Sequence, residues 1–147
     1  MIYIGADHRG YELKKKIKNW LSDWGYQYED MGGLEYNKDD DYPDFAKAVG
    51  EKVSMGEDAK GILICGSGIG VAIASNKIKG IRAGTGTSPK QIKAAVNDED
   101  LNILALPADY VSENDAKEIA KSFLEAKFSG EERHVRRLNK IKQLENA

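Results

Sequence analysis

One run of consecutive apolar residues, Gly61-Ile62-Leu63-Ile64-Cys65, passes directly into a glycine-rich turn, Gly66-Ser67-Gly68-Ile69-Gly70. A strand with one wet face would alternate apolar and polar residues. An unbroken apolar run belongs to a strand covered on both faces, as in a parallel sheet clothed by helices. Parallel neighbours need crossovers of about a dozen or more residues, so this strand commits the chain to alternating strands and helices. The remaining patterns fit that rule. Ile2 to Ala6 reads as a first strand, and Leu13, Ile17, Trp20, Leu21 and Trp24 recur at helical spacing. Tyr26 to Glu29 is a short second strand, and Phe45, Val49 and Val53 mark a helix that stops near Gly56. Beyond the glycine turn, Val71 to Lys77 predicts a helix and Gly80 to Gly84 a fourth strand. Ser88-Pro89 caps and opens the next helix. Leu101 to Leu106 is the fifth strand. Ser112 with Asp115 resembles a capping box for a helix striped by Ala116, Ile119, Ala120, Phe123 and Leu124. A last helix, about 131–145, carries Val135, Leu138, Ile141 and Leu144. The predicted fold is α/β: a doubly wound three-layer sandwich with a five-stranded parallel sheet, helices on both faces and a C-terminal helix.

At 147 residues the chain has room for one domain with a real core, so 1–147 is read as a single domain. Its 22 basic and 24 acidic residues leave a net charge of -2, without the global field that holds nucleic acid or an anionic membrane. The single cysteine allows no internal disulfide, and no apolar stretch approaches membrane-helix length. The first residues lack the basic and long apolar regions of a signal peptide. A cytoplasmic enzyme is the expectation, with no nucleic-acid or membrane partner.

In doubly wound sheets ligands bind beyond the carboxyl ends of the strands, where strand order reverses. That rule points to Asp7-His8-Arg9, to Cys65 through Gly70, and to the region from Thr85 to Ser88. The three glycines of the turn allow positive φ and close backbone approach, which turns N–H groups toward an anion. A dinucleotide site fits poorly, because the spacing is G-x-G-x-G and no acidic residue lies about 20 residues on at a strand end. A tight packing turn is the other reading. Cys65 is either a buried small hydrophobe or, at the mouth of a helix, a thiolate able to act as base or nucleophile. With only two histidines in the chain, His8 and His134, and no triad in view, base chemistry stands beside covalent catalysis. Arg133 and Arg137 lie four apart on one helical face and can fork onto a phosphate, or can be a solvated basic patch.

Several motifs in order, Gly5-Ala6-Asp7-His8-Arg9-Gly10 with Leu13-Lys14, Asp41-Tyr42-Pro43, Cys65 to Gly70, Ala74-x-Asn76-Lys77, Gly80-Ile81-Arg82-Ala83 and Arg133-His134-x-x-Arg137, resemble the type B ribose-5-phosphate isomerases. The resemblance runs from residue 1 to about 142; the wider family includes the subunits of galactose-6-phosphate isomerase. It implies a Rossmann-like sheet, no cofactor and no metal, and interconversion of ribose 5-phosphate and ribulose 5-phosphate. It also implies a homodimer, or a tetramer built from it, whose active sites use both subunits. On that resemblance Cys65 is the base between C1 and C2, and Gly66, Gly68, Ile69 and Gly70 hold the enediolate. Ser67 assists proton movement, Asp7 meets a sugar hydroxyl, and His8, Arg133 and Arg137 grip the phosphate, the arginines donated across the dimer.

Two departures stand out. Where the family reads His-Asn-x-x-Asn before the fifth strand, this chain has Asp98, Glu99 and Asn102; that histidine is the family's ring-opening group. Where the family has Gly-x-Arg after the strand, with the arginine on phosphate, this chain has Pro107-Ala108-Asp109. Asp98 can replace an imidazole as acid or base if burial raises its pKa. Asn102 takes the last asparagine position and is expected to bind substrate. The departures also motivate three alternatives: isomerisation of a different sugar phosphate, a sugar-phosphate-binding homologue without turnover, or a partner subunit of a hetero-oligomeric isomerase.

Overall fold

The computed structural model describes residues 1–147. Five strands, β1 (Ile2–Ala6), β2 (Tyr28–Asp30), β3 (Lys60–Cys65), β4 (Ala83–Thr85) and β5 (Ile103–Pro107), form one sheet in the order β2-β1-β3-β5-β4. Every pairing is parallel. The helices are α1 (Tyr11–Asp23), α2 (Tyr42–Met55), α3 (Ile69–Ser75), α4 (Pro89–Glu99), α5 (Glu113–Glu125) and α6 (Glu132–Glu145). A three-residue 3₁₀ turn, His8–Gly10, leads into α1.

The unbroken apolar run of β3 serves two cores. Ile62 and Ile64 pack with Ile4, Leu104, Leu106 and the apolar faces of α1, α4 and α5. Leu63 and Cys65 point the other way, into the layer made with Val49, Val53, Val71 and Ala72 of α2 and α3. Each fully buried Ile, Leu or Phe contributes roughly 1.5–3 kcal/mol by leaving water. The predicted caps form: Ser88 Oγ accepts from Gln91 N at 3.1 Å and Ser112 Oγ from Asp115 N at 3.1 Å.

Several boundaries differ from the sequence reading, β5 among them, which starts at Ile103 rather than Leu101. α3 starts at Ile69 rather than Val71, because Gly68 adopts φ +71° and lets the chain enter the helix at once. β4 begins only at Ala83, since Gly80 turns the chain at φ +86° and the Asn102 amide holds Gly80 O and Arg82 N. β2 is shifted to Tyr28–Asp30, where Tyr28, Glu29 and Asp30 pair with Ile2, Tyr3 and Ile4.

The chain leaves β1 for β2 on one side and reaches β3 on the other, so strand order reverses between β1 and β3. Their ends are level: Ala6 pairs with Ile64, and Cys65 with Pro107. The segments after β1, β3 and β5 therefore leave the sheet side by side.

Candidate active site

Cys65 ends β3 and is buried. The two strand-end segments beside it are fastened to it by backbone. Asp7 N donates to Ile64 O at 3.3 Å, Ala108 N to Cys65 O at 2.9 Å, and Asp109 N to Gly66 O at 3.0 Å. The glycines of the turn have separate reasons. A Cβ on Gly68, besides its positive φ, would meet Pro107 N and Thr85 Cγ2 at 2.9 Å, and one on Gly70 would meet the Tyr42 ring at 2.7 Å. Thr85 Oγ1 donates to Gly68 O at 2.9 Å, which ties the turn to β4. Ser67 is exposed and its Oγ accepts from Ile69 N at 3.2 Å, so its O–H is free to donate. With α3 only seven residues long, the cradle rests on the turn's own N–H groups more than on a helix dipole.

Asp7 is buried, and its Oδ1 caps the 3₁₀ turn by accepting from Arg9 N at 3.0 Å and Gly10 N at 3.2 Å. Burial pushes its carboxyl above the ordinary value, against the Gly10 hydrogen bond and the nearby His8. The cap and the sugar-binding reading are compatible, since Oδ2 takes no hydrogen bond from the protein. His8 Nδ1 lies 2.7 Å from Asp40 Oδ1, which also accepts from His8 N at 3.0 Å. With Nδ1–H committed to Asp40, Nε2 is the nitrogen left to face a ligand. Asp7, His8 and Asp40 place ligand-type atoms within 4.8 Å of one another. Asp40 Oδ1 braces His8 and Asp7 Oδ1 caps the 3₁₀ turn, and these hydrogen bonds account for the cluster. Asp40 and Arg9 are the two residues the sequence reading left without a role. Asp40 lies in an acidic loop where nothing local distinguishes it from Asp39 or Asp41.

The rest of the predicted set lies elsewhere in the chain. α4 starts beyond the carboxyl end of β4 and runs back across the sheet, so Asp98, near its end, sits by the amino ends of the strands. There Asp98 Oδ1 is 3.7 Å from His134 Nε2, and the half-exposed carboxylate also accepts from Asn97 Nδ2 at 2.8 Å. His134 is buried, with Nδ1 2.6 Å from Ser129 Oγ, and Arg133 Nε reaches its Nε2 at 3.4 Å. Arg133 pairs with Glu131 at 2.9 Å, and Arg137 is exposed on the same helix. Asp98 and Arg133 thus meet around His134 where α6 crosses α4, with Arg137 exposed one turn further along α6, at the other end of the sheet from Cys65. Asn102 immediately precedes β5. Its Oδ1 accepts from Arg82 N at 2.8 Å and its Nδ2 donates to Gly80 O at 2.8 Å. These two bonds clamp the entries to β4 and β5.

A strand-end thiol, a turn of N–H donors after it and an imidazole at the exit of the neighbouring strand are the kinds of group that move a proton between adjacent carbons of an anionic sugar. By class the chain is an aldose–ketose isomerase. The model of the ribose/galactose isomerase family matches residues 2–141, and the chain belongs to that family. It is 40% identical over 141 residues to a probable ribose-5-phosphate isomerase B of Mycoplasma genitalium, covering 95% of this chain and 92% of that protein. It is likewise 40% identical over 144 residues to a putative sugar phosphate isomerase of Bacillus subtilis, covering 98% of this chain and 96% of that one. Among solved structures, ribose-5-phosphate isomerase B of M. genitalium with bound ribulose-5-phosphate superposes with a TM-score of 0.95 at 40% identity, covering 99% of this chain and 95% of that one. The Clostridium thermocellum ribose-5-phosphate isomerase B gives 0.94 at 42% identity, covering 99% and 97%.

Proposed function

We propose that the chain interconverts ribose 5-phosphate and ribulose 5-phosphate through an enediolate, without a cofactor, in a cytoplasmic homodimer. The observation that carries this reading is the seating of Cys65 and its glycine turn beside Asp7 and His8 at the reversal between β1 and β3. The M. genitalium relative, solved with ribulose-5-phosphate, has the same fold throughout. In the forward direction the Cys65 thiolate takes the proton from C2 of the open-chain aldose, and the N–H groups of Gly66 to Gly70 hold the charge that develops on oxygen. Ser67 moves the proton between O1 and O2, and Cys65 returns its proton to C1. Asp7 orients a sugar hydroxyl and His8 Nε2 faces the phosphate.

The second subunit completes the site. α6 buries only His134, while Val135, Ile141 and Leu144 are 40%, 41% and 75% exposed. A cleft of about 610 Å³ between α6 and β4 is lined by Ile78, Ile81, Leu101, Ile141 and Leu144. An apolar stripe of this kind calls for cover, and a twofold partner supplies it with the same surface. Such packing brings Arg133, Arg137 and Asp98 of one subunit to the other's Cys65. In the wild type, each of ribose 5-phosphate and a panel of other pentose and hexose phosphates is followed in D₂O by NMR. Deuterium entering C2 of ribose 5-phosphate, with ribulose 5-phosphate formed, is the expected result. Exchange only with another sugar phosphate, the reading that the Asp98 and Asp109 departures favour, would replace the substrate. No exchange with any would leave a binding protein. Asp98→Asn should slow the cyclic substrate more than an open-chain analogue, and equal losses on both would remove Asp98 from ring opening.

A further inference from the structure

Arg9 has no role in the chemistry above, yet its guanidinium lies on the glycine turn. A Cβ on Gly66 would sit 2.2 Å from Arg9 Cζ and 2.3 Å from its Nε. The guanidinium therefore fills the space over Gly66, and a permanent cation stands one residue from Cys65. Two anchors hold it. Its backbone N–H donates to Asp7 Oδ1 at 3.0 Å, and its Nη2 pairs with Asp109 Oδ2. Asp109 is itself fixed to the turn, because its backbone N–H donates to Gly66 O at 3.0 Å. Only Nη2 is engaged; the Nε–H and Nη1–H groups have no protein acceptor.

We infer that Arg9 is a phosphate-binding residue supplied by the same subunit as Cys65, with Asp109 as the residue that positions it. The inference rests on the proposed sugar-phosphate substrate. The crevice of one chain is lined by Asp7, Asp40 and Asp109, and a dianion entering it meets three carboxylates. Asp40 is matched by His8, and Arg9 is the arginine that neutralises Asp109 while keeping donors for the ligand. A planar guanidinium can hold a carboxylate on one nitrogen and a phosphate on the others. The pair is also half exposed, with side chains 52% and 39% accessible, so it contributes little to folding. Its geometry matters more to a ligand than to stability.

Inorganic phosphate binding to the full chain, measured by calorimetry, tests this without requiring turnover, and KM and kcat for ribose 5-phosphate are measured alongside. Arg9→Gln should weaken phosphate by roughly 10–100-fold and raise KM by a similar factor, with kcat within about twofold. Arg9→Lys, which keeps the charge and loses the fork, should fall between. In the Arg9→Gln background Asp109 stands unneutralised beside the anion, so adding Asp109→Asn should recover part of the affinity. Unchanged phosphate affinity in Arg9→Gln would overturn the assignment. A fall in kcat with unchanged KM would also overturn it, by placing Arg9 at the reacting carbons. Asp109→Asn on its own should also weaken phosphate by freeing Arg9, and unweakened binding in that single variant would remove Asp109 from its positioning role. If ribose 5-phosphate is not turned over, the phosphate titration still decides the case of Arg9 and only the proposed substrate fails.

Discussion

Gly66 shows how closely single residues are fitted at this site, because the space over its Cα is filled by the Arg9 guanidinium. Gly66→Ala should expel that group while leaving the sheet intact, so phosphate affinity falls about as far as in Arg9→Gln, roughly tenfold or more. Calorimetry alongside a thermal melt checks it, and wild-type affinity would show that Arg9 does not act from this position. Cys65, His8 and the turn were legible in the sequence because strand, turn and helix signals are local and place their residues at a strand end. The Arg9–Asp109 pair was not, since its members are 100 residues apart and meet only because β1 and β5 flank β3. Asp109 therefore looked like an uncompensated loss of an arginine. The fold supplies its partner from the first strand's exit.

Helix α1 places Lys14, almost wholly buried, beneath the segment that follows β2. Its Nζ donates to Asp30 Oδ1 at 2.8 Å, Gly32 O at 2.9 Å and Gly33 O at 2.7 Å, and Lys18 Nζ takes the other Asp30 oxygen at 2.9 Å. Gly32 O in turn accepts from Ala6 N at 3.1 Å, so this network props up the exit of β1 that carries Asp7 and His8. Lys14→Met leaves the Gly33 carbonyl without a donor and Asp30 with Lys18 as its one cation, and should cost about 1–3 kcal/mol, read by denaturant unfolding; a loss under about 1 kcal/mol would contradict the role. Burial opposes the charge on Asp30, but hydrogen bonds from Lys14, Lys18 and Gly32 N–H outweigh it and hold the carboxyl below its ordinary range. The unfolded chain then binds this proton at higher pH than the folded one. The stabilisation is complete above the unfolded value and is lost as pH falls through the folded value. Asp30→Asn should therefore flatten the acid limb of the stability curve, and an unaltered limb would show that the contribution lies elsewhere. The direction of α4 also explains why Asp98 was hard to place from sequence alone. Its capped start at Ser88 was legible, and a helix returning from a strand's carboxyl end must finish at the amino end, which separates Asp98 from Cys65. What sequence could not show was the cluster with Arg133 and His134, because it depends on how α6 folds back onto α4.

For the whole molecule, the two halves of the proposed site lie at opposite ends of one chain and α6 leaves its apolar stripe uncovered. The proposed dimer resolves both facts with one contact. Leu144→Asp should convert dimer to monomer in sedimentation and remove turnover while Cys65 is intact; an active monomer would contradict the shared site. Subunit mixing is sharper still. Cys65→Ala protein, inactive alone, and Arg137→Ala protein, weak when assayed well below its raised KM, should recover about a quarter of wild-type activity at that substrate level after unfolding and refolding together, since half of random dimers hold one complete site. No recovery would mean that both residues serve the same subunit's site. All of this depends on Cys65 being the group that moves the proton. The most direct measurement compares wild type with Cys65→Ala on ribose 5-phosphate in D₂O, with phosphate binding measured in parallel. The account predicts that deuterium incorporation at C2 falls at least about a thousandfold while phosphate affinity stays near wild type. Exchange at the wild-type rate without the thiol would contradict it.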